Sequence, residues 1–127
     1  MGEALLTPTR LYARAVSVLL SAAIDVRAMC HVTGGGLPGN LPRVLPEGLE
    51  AVLERSAWTT DPVFDWLQRA GRVADAEMYR VFNCGIGMTV HVAAQNAQRA
   101  IEILEKAGQS ARVIGEIRTG ARGAVIA

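Results

Sequence analysis

The sequence HVTGGGLPGNLPRVLP, residues 31–46, holds four of the 13 glycines and three of the five prolines of the chain. It follows residues 26–32, a mostly apolar segment typical of a β-strand. Three consecutive glycines, Gly34 to Gly36, allow a sharp turn, positive φ angles and close approach to a ligand. Pro38 and Pro42 lie too close together for a regular helix between them. The stretch therefore predicts a stiff, shaped loop after a strand, a common position for a ligand site.

Two nucleotide-binding motifs are partly matched by the same glycines. Gly34, Gly36 and Gly39 spell G-x-G-x-x-G after the strand, and Glu54 lies at about the position of a ribose-binding acid. A dinucleotide site needs a full helix directly after the glycines, and the following prolines prevent one. The spacing also fits a P-loop, but Asn40 stands where that motif requires its phosphate-binding lysine. Neither motif is complete.

Two interpretations of the glycine turn remain open. Its successive backbone N–H groups can form a nest for an anion, or the turn can serve only to reverse the chain. If residues 31–46 meet a second glycine-marked segment, residues 82–88, polar side chains would form one rim. That rim would comprise His31, Thr33, Asn40, Arg43, Arg80 and Asn83. An arginine and backbone N–H groups can hold a phosphate together. In the alternative interpretation, His31 is a hydrogen-bonded structural residue at a strand end.

The composition is that of a chain able to form its own core. Its 127 residues predict one domain over residues 1–127, and half of them are hydrophobic. The net charge is +1 and there is no basic block, so we expect no nucleic-acid partner. No run reaches the roughly 18 apolar residues of a membrane span, and residues 1–4 do not resemble a signal peptide. We therefore expect no membrane association. Cys30 and Cys84, both in apolar settings, favour a reducing cytoplasm over a disulfide framework.

The first helix is predicted to begin at Thr7, with Pro8 in its first turn. Its apolar stripe at helical spacing comprises Leu11, Tyr12, Ala15, Val16, Leu19 and Ala23. Arg10 and Arg14 lie one turn apart on the more polar face, and we interpret them as a solvated helix edge.

Short strands alternate with further helices along the rest of the chain. We expect strands at 26–32, 49–54, 88–92, 112–117 and 124–127, and helices at 62–70, 76–80 and 97–107. Gly120 and Gly123 are expected to form a hairpin between the last two strands, and Asn96 to cap the last helix. Trp58 and Trp66 are expected in the core. This order predicts an α+β fold, a layered sandwich of one mixed or antiparallel sheet with helices packed on it.

No complete catalytic constellation is visible in the residues. Cys30, His31, Cys84 and His91 are metal ligands in principle, but Cys30 and His31 are strand neighbours whose side chains point to opposite faces. The aspartates are scattered, so none of them predicts a carboxylate site for Mg²⁺. No serine lies in a nucleophile motif. We therefore expect no metal site in this chain, and the residues alone assign no catalytic group.

Three motifs, in this order and spacing, resemble the aminoimidazole ribonucleotide synthetase family, also called phosphoribosylformylglycinamidine cyclo-ligase. They are TPTRLY (residues 7–12), HVTGGGLPGNLPRVLP (residues 31–46) and EMYRVFNCGIGM (residues 77–88). The likeness extends from about Glu3 to the end of the chain, and includes VIGEI at residues 113–117. It separates the chain from relatives that share the fold, such as selenophosphate synthetase and thiamine-monophosphate kinase. The resemblance implies the fold of that family's C-terminal domain, with the N-terminal ATP-binding domain absent.

The resemblance also implies a function in de novo purine biosynthesis. Members of the family close the imidazole ring of a small ribonucleotide substrate at the expense of ATP. It further implies a cytoplasmic homodimer whose N-terminal domain forms the dimer and binds most of the ATP and Mg²⁺, with neither bound by this chain alone. We therefore expect the chain to be inactive without that domain. The alternative is a stand-alone phosphate- or nucleotide-binding module without catalysis.

In the family, the C-terminal domain forms one wall of the substrate cleft. By motif match, the resemblance places eight residues of this chain at that wall. They are His31, Thr33, Gly34, Gly35, Gly36, Asn40, Arg43 and Asn83. The match does not assign their individual roles.

Overall fold

A computed structural model describes residues 2–127. Their α-helices are α1 (Gly2–Leu5), α2 (Ala13–Ser21), α3 (Gly36–Asn40), α4 (Pro62–Gly71), α5 (Asp75–Val81) and α6 (Ala97–Lys106). Their strands are β1 (Val26–His31), β2 (Leu49–Leu53), β3 (Met88–Val92), β4 (Gly115–Thr119) and β5 (Gly123–Ile126). Single 3₁₀ turns cover Leu41–Arg43, Arg55–Ala57 and Ala94–Asn96. No helix among these residues combines the length and apolar character needed to cross a membrane.

The strands form two sheets. β1 pairs with β3 in antiparallel register, with Cys30 opposite Thr89 and His31 opposite Met88. β2 is the centre of a mixed sheet, antiparallel to β4 on one side and parallel to β5 on the other. The α+β prediction, with mixed and antiparallel pairing and helices packed on the sheets, is confirmed. The strands are divided between two sheets where one was expected.

Two apolar clusters hold these layers together. The larger joins both sheets to α3, through the buried side chains of Cys30, Val32, Leu37, Leu41, Leu45, Ala51, Leu53 and Trp58. The smaller packs α2 and α6 on β1 and β3, around Leu19, Ile24 and Ala100. Burial of a large apolar side chain contributes about 1.5–3 kcal/mol relative to leaving it exposed. The larger cluster therefore fixes α3, and with it the glycine stretch, against the sheets.

The predicted hairpin between the last two strands is wrong. β4 and β5 lie on opposite sides of β2, so the connection that contains Gly120 crosses from one side to the other and ends at Gly123, the first residue of β5. The buried position of Ala51 explains this arrangement, because β4 and β5 flank it with Ile117 and Ala124. A central strand needs partners on both of its edges. The strand expected at 112–117 begins three residues later, at Gly115.

The helix predicted to start at Thr7 is also wrong. α2 begins at Ala13, and the Thr7 hydroxyl instead donates to the carbonyl of Glu3, in α1. Residues 7–12 have no regular structure, and Tyr12 at their end packs its ring on that of His31. Leu11, expected on the apolar stripe, is 88% exposed, whereas Ala15 and Leu19 are buried.

Two further local predictions, the Asn96 cap and the burial of Trp66, are wrong. The Asn96 side chain makes no capping hydrogen bond, because the 3₁₀ turn that ends at Asn96 holds its backbone in a helical conformation. Trp66 is 39% exposed, since it lies on α4, a helix without buried residues. Trp58 is 3% exposed, which confirms its predicted place in the core.

The two tryptophans form a matched pair for a stability test. The Trp58 indole donates to the carbonyl of Cys84 over 3.1 Å, whereas Trp66 lies at the surface. We expect Trp58→Phe to lower the free energy of unfolding by about 2 kcal/mol, because it leaves a buried carbonyl without its donor. Trp66→Phe should change it by less than about 0.5 kcal/mol. Urea unfolding followed by circular dichroism measures both, and equal effects would contradict this assignment.

Candidate functional site

Gly36 lies where the glycine stretch meets the end of α5. Its φ is +58°, and a Cβ at this position would overlap the carbonyl oxygen of Tyr79 and lie 2.7 Å from that of Phe82. Real Cβ atoms do not make such contacts, so only glycine fits without a shift of the backbone. The N–H of Gly35 also donates to the carbonyl of Val81 over 3.4 Å. The two glycine-marked segments therefore meet, and Gly36 sets their separation.

Asn40 holds the glycine turn from inside. Its side chain is buried, and its Nδ2 donates to the carbonyls of Thr33, Gly34 and Gly36 over 3.3, 3.2 and 2.8 Å. One amide thus bridges three carbonyls of the turn, of which that of Thr33 also accepts the N–H of Gly36. Asn40 positions the turn.

The prolines permit more helix than the sequence predicts. Pro38 lies in the first turn of α3, and Pro42 lies in the 3₁₀ turn that follows. Proline is tolerated in a first turn because its missing N–H would have no intrahelical acceptor there. Residues 36–43 are therefore two short helical turns, and the expected irregular loop is limited to the residues before Gly36.

The N–H groups of Gly34 to Gly36 are only partly free to form an anion nest, which is one of the two interpretations of the turn. The N–H of Gly35 donates to Val81, and that of Gly36 donates to the carbonyl of Thr33 over 3.1 Å. Two of the three N–H groups are thus satisfied within the protein, one by α5 and one by the turn itself. The residues that stay exposed along residues 31–46 are His31, Thr33, Gly34, Gly39, Arg43 and Pro46.

Tyr12, His31 and Gly87 meet on the other side of the stretch. The rings of Tyr12 and His31 pack edge to face, with centroids 5.7 Å apart. A Cβ on Gly87 would overlap the Tyr12 hydroxyl, so a larger residue there would displace the Tyr12 ring. The N–H of Val32 donates to the carbonyl of Gly87 over 2.9 Å. One residue from each of the three sequence motifs is therefore present at a single place.

This meeting point opens onto a groove of about 510 Å³. Its lining residues are Arg10, Leu11, Tyr12, Ala13, Val16, His31 and Met88. The volume lies in the range of small-molecule sites in proteins. The sequence analysis placed Tyr12 on the apolar stripe and Arg10 on the polar edge of one helix. No local signal shows that both precede α2 and line this groove.

Asn83 and Arg80, the other rim residues, are engaged locally. The Asn83 Oδ1 accepts the N–H of Gly85 over 3.1 Å and so closes its own turn. Arg80 pairs with Glu77 through two hydrogen bonds, and this pairing raises the pKa of Arg80 and lowers that of Glu77. Asn83 directly follows Phe82, whose carbonyl faces Gly36, so it lies at the edge of the contact.

The side chains of Cys30, Cys84 and His91 make their contacts with other groups of the fold. Burial raises the pKa of both Cys30 and Cys84, with the nearby charges of Arg43 and Arg55 respectively opposing that effect. The His91 Nε2 lies 3.0 Å from the Thr89 hydroxyl, its Nδ1 has no partner, and burial lowers its pKa. Within residues 2–127, no three His, Cys, Asp or Glu side chains are grouped to hold a metal ion.

Comparison with known proteins gives a consistent match. The family model described as AIR synthase related protein, C-terminal domain, matches residues 1–127. A phosphoribosylformylglycinamidine cyclo-ligase of Cupriavidus metallidurans is 53% identical over 123 residues, which are 97% of this chain and 35% of that protein. Proteins of the same name from Sorangium cellulosum and Nitrosococcus oceani are 55% and 51% identical, each over 92% of this chain and 34% and 32% of their own length. The chain thus spans about one third of the curated relatives it matches.

Two neighbouring glycines test the packing of the turn. Gly36→Ala places a methyl group against the Tyr79 carbonyl, whereas a Cβ on Gly34 meets nothing within 4 Å. We expect Gly36→Ala to cost about 3 kcal/mol of stability or more, because backbone atoms must move, and Gly34→Ala less than about 1 kcal/mol. Thermal and urea unfolding of both variants measure this. A Gly36→Ala protein as stable as the Gly34→Ala protein would exclude the tight contact.

Proposed function

This chain belongs to the AIR synthase related protein, C-terminal domain family, and we propose that it is the C-terminal domain of a phosphoribosylformylglycinamidine cyclo-ligase. The name of the relatives, which are more than 50% identical, supports this proposal. The observation that carries it is the convergence of Tyr12, His31 and Gly87, because these residues come from the three motifs that define the resemblance. The proposed reaction is the ATP-dependent closure of an imidazole ring in purine biosynthesis.

A further part of this proposal concerns ATP and Mg²⁺. Mg²⁺ in phosphate-transfer sites is held by carboxylates together with the substrate phosphates. Among residues 2–127, no group of three acidic or other ligating side chains is present. We therefore assign ATP and Mg²⁺ to the N-terminal domain of the longer enzyme, which is the proposed partner of this chain in a cytoplasmic homodimer. No reaction step at ATP is assigned to the residues described here.

The proposed contribution of this chain is a cleft wall that holds a ribonucleotide. We assign eight residues to it: His31, Thr33, Gly34, Gly35, Gly36, Asn40, Arg43 and Asn83. Gly36 and Asn40 are buried and position the turn, while His31, Thr33 and Arg43 are exposed and can reach a ligand. The exposed guanidinium of Arg43 can bind a phosphate in bidentate fashion at little desolvation cost. In this assignment, the wall binds and orients the substrate.

In this proposal, activity requires the N-terminal domain as the second wall of the cleft, together with ATP and Mg²⁺. The first functional prediction follows from this requirement. The purified chain should form no aminoimidazole ribonucleotide, since residues 2–127 contain no assembled cluster of metal ligands. Addition of a separately expressed N-terminal domain from a relative should restore measurable turnover in a coupled phosphate-release assay. Turnover by the chain alone would overturn the division of roles.

The same assay can test the proposed cleft wall if a variant of one wall residue is compared with a control variant. With the N-terminal domain present, Arg43→Ala should raise the KM for the ribonucleotide about tenfold or more, because removing one charged hydrogen bond costs about 1.5–3 kcal/mol. Arg112→Ala is the control, since Arg112 is exposed and its one side-chain contact is with Ser110. It should leave KM unchanged.

The chain alone should still bind phosphate weakly. We expect a Kd on the order of millimolar for ribose 5-phosphate, which corresponds to about 4 kcal/mol. Amide shifts in a two-dimensional NMR titration should concentrate at Thr33 and Gly34 and shrink in Arg43→Ala. The amides of Gly35 and Gly36 should move less, because they are already hydrogen-bonded. Absence of saturable shifts, even with the N-terminal domain present, would leave the turn a purely structural element.

The same pair of experiments separates the alternative function. A stand-alone phosphate- or nucleotide-binding module would bind ribose 5-phosphate in the NMR titration, but addition of the N-terminal domain would produce no turnover. A cleft wall of the cyclo-ligase requires both results.

A further inference from the structure

β4 is an exposed edge strand. All five of its residues are exposed, and in the part of the chain that the structure describes it pairs with β2 alone. β5, on the other side of β2, is partly buried and contacts α3 and the 3₁₀ turn Leu41–Arg43. The free edge of this sheet is therefore the outer edge of β4. It contains no proline, the residue that commonly blocks such edges.

The phase of the β2–β4 ladder identifies which backbone groups face outward. The N–H of Gly120 donates to Gly48 over 3.0 Å, and the carbonyl of Ile114 accepts from Glu54 over 2.8 Å. In an antiparallel pair, alternate residues direct both of their backbone groups to the partner strand. The backbone N–H and C=O groups of the even-numbered residues of β4 thus point towards β2. Gly115, Ile117 and Thr119 direct three N–H and three C=O groups away from it.

We propose that this edge pairs with β4 of a second copy of the chain, antiparallel and centred on Ile117. In this register, Ile117 lies opposite the partner's Ile117, and Gly115 lies opposite the partner's Thr119. Every outward N–H then meets an outward C=O, which gives six hydrogen bonds between the copies. A two-fold axis requires a self-complementary surface, and the free groups of β4 meet that condition.

The side chains of β4 are complementary in the same register. Glu116 would lie opposite the partner's Arg118, and Arg118 opposite the partner's Glu116. Arg118 already pairs with Glu50 over 2.8 Å, on the same face of the sheet. Each arginine would therefore lie between two carboxylates. Opposite charges directly across a strand pair stabilise it, and like charges oppose it.

Ile117 supplies the apolar part of the contact. It lies opposite Ala51 in the β2–β4 register and remains 40% exposed at the sheet edge. The partner's Ile117 would cover it from the other side of the axis. Because one strand pair buries less surface than a stable interface of about 1,200 Å² or more, we expect a weak dimer, with a Kd on the order of 10⁻⁴ M.

Sedimentation velocity of the 127-residue chain between about 10 µM and 1 mM tests this inference. We expect the weight-average mass to rise towards that of a dimer. Ile117→Pro removes an N–H that faces outward and spares the β2–β4 hydrogen bonds, so it should weaken dimerisation at least tenfold. Ile117→Val keeps that N–H and should dimerise nearly as the unaltered chain. Circular dichroism verifies that both variants fold.

A charge exchange provides a second test that does not depend on the proline variant. Glu116→Lys and Arg118→Glu each place like charges opposite one another and should be monomeric alone. Mixed together they restore opposite pairs, and the mixture should form a heterodimer. An unaltered chain that is monomeric at 1 mM, an Ile117→Pro protein that dimerises normally, or a mixture that stays monomeric would each overturn the proposal. A monomer would leave the edge to a strand from the rest of the longer protein.

Discussion

The approach of Gly36 to the carbonyls of Tyr79 and Phe82 is the contact on which the candidate site depends. It brings α3 directly against the end of α5, at a separation that no other residue type allows. Because β1 leads into this turn and β3 follows α5, the same contact also fixes the two strands that carry His31 and Met88. The arrangement of the site therefore depends on Gly36 having no side chain.

A tight backbone approach leaves polar groups that must be satisfied. Asn40 satisfies three carbonyls of the turn, and Val81 and Thr33 accept the N–H groups of Gly35 and Gly36. Burial of these groups without partners would cost about 1–3 kcal/mol each. The glycines therefore serve packing, and in the proposed cleft wall the exposed side chains around them are the groups that can reach a ligand.

The sequence predicted elements whose signals are local. β3, α5 and α6 lie within a residue or so of their expected bounds, and the α+β class follows from their alternation. It did not predict which strands pair, because the position of β4 and β5 on either side of β2 depends on the burial of Ala51. Tyr12 was assigned to a helix for the same reason, since its contact with His31 joins residues far apart in the chain. The sequence also did not show that the N–H of Gly35 donates to Val81 on α5, because that contact joins residues far apart in the chain.

The site and the β4 edge lie in different parts of the molecule. The groove borders β1 and β3, whereas β4 is separated from α3 by β2 and β5. No shared residue connects them, so pairing of two copies through β4 leaves His31, Thr33 and Arg43 accessible. A second wall that contacts these residues can therefore form in each copy independently. Binding of the ribonucleotide and association of the copies should then be energetically separable, as expected for distant sites without shared partners.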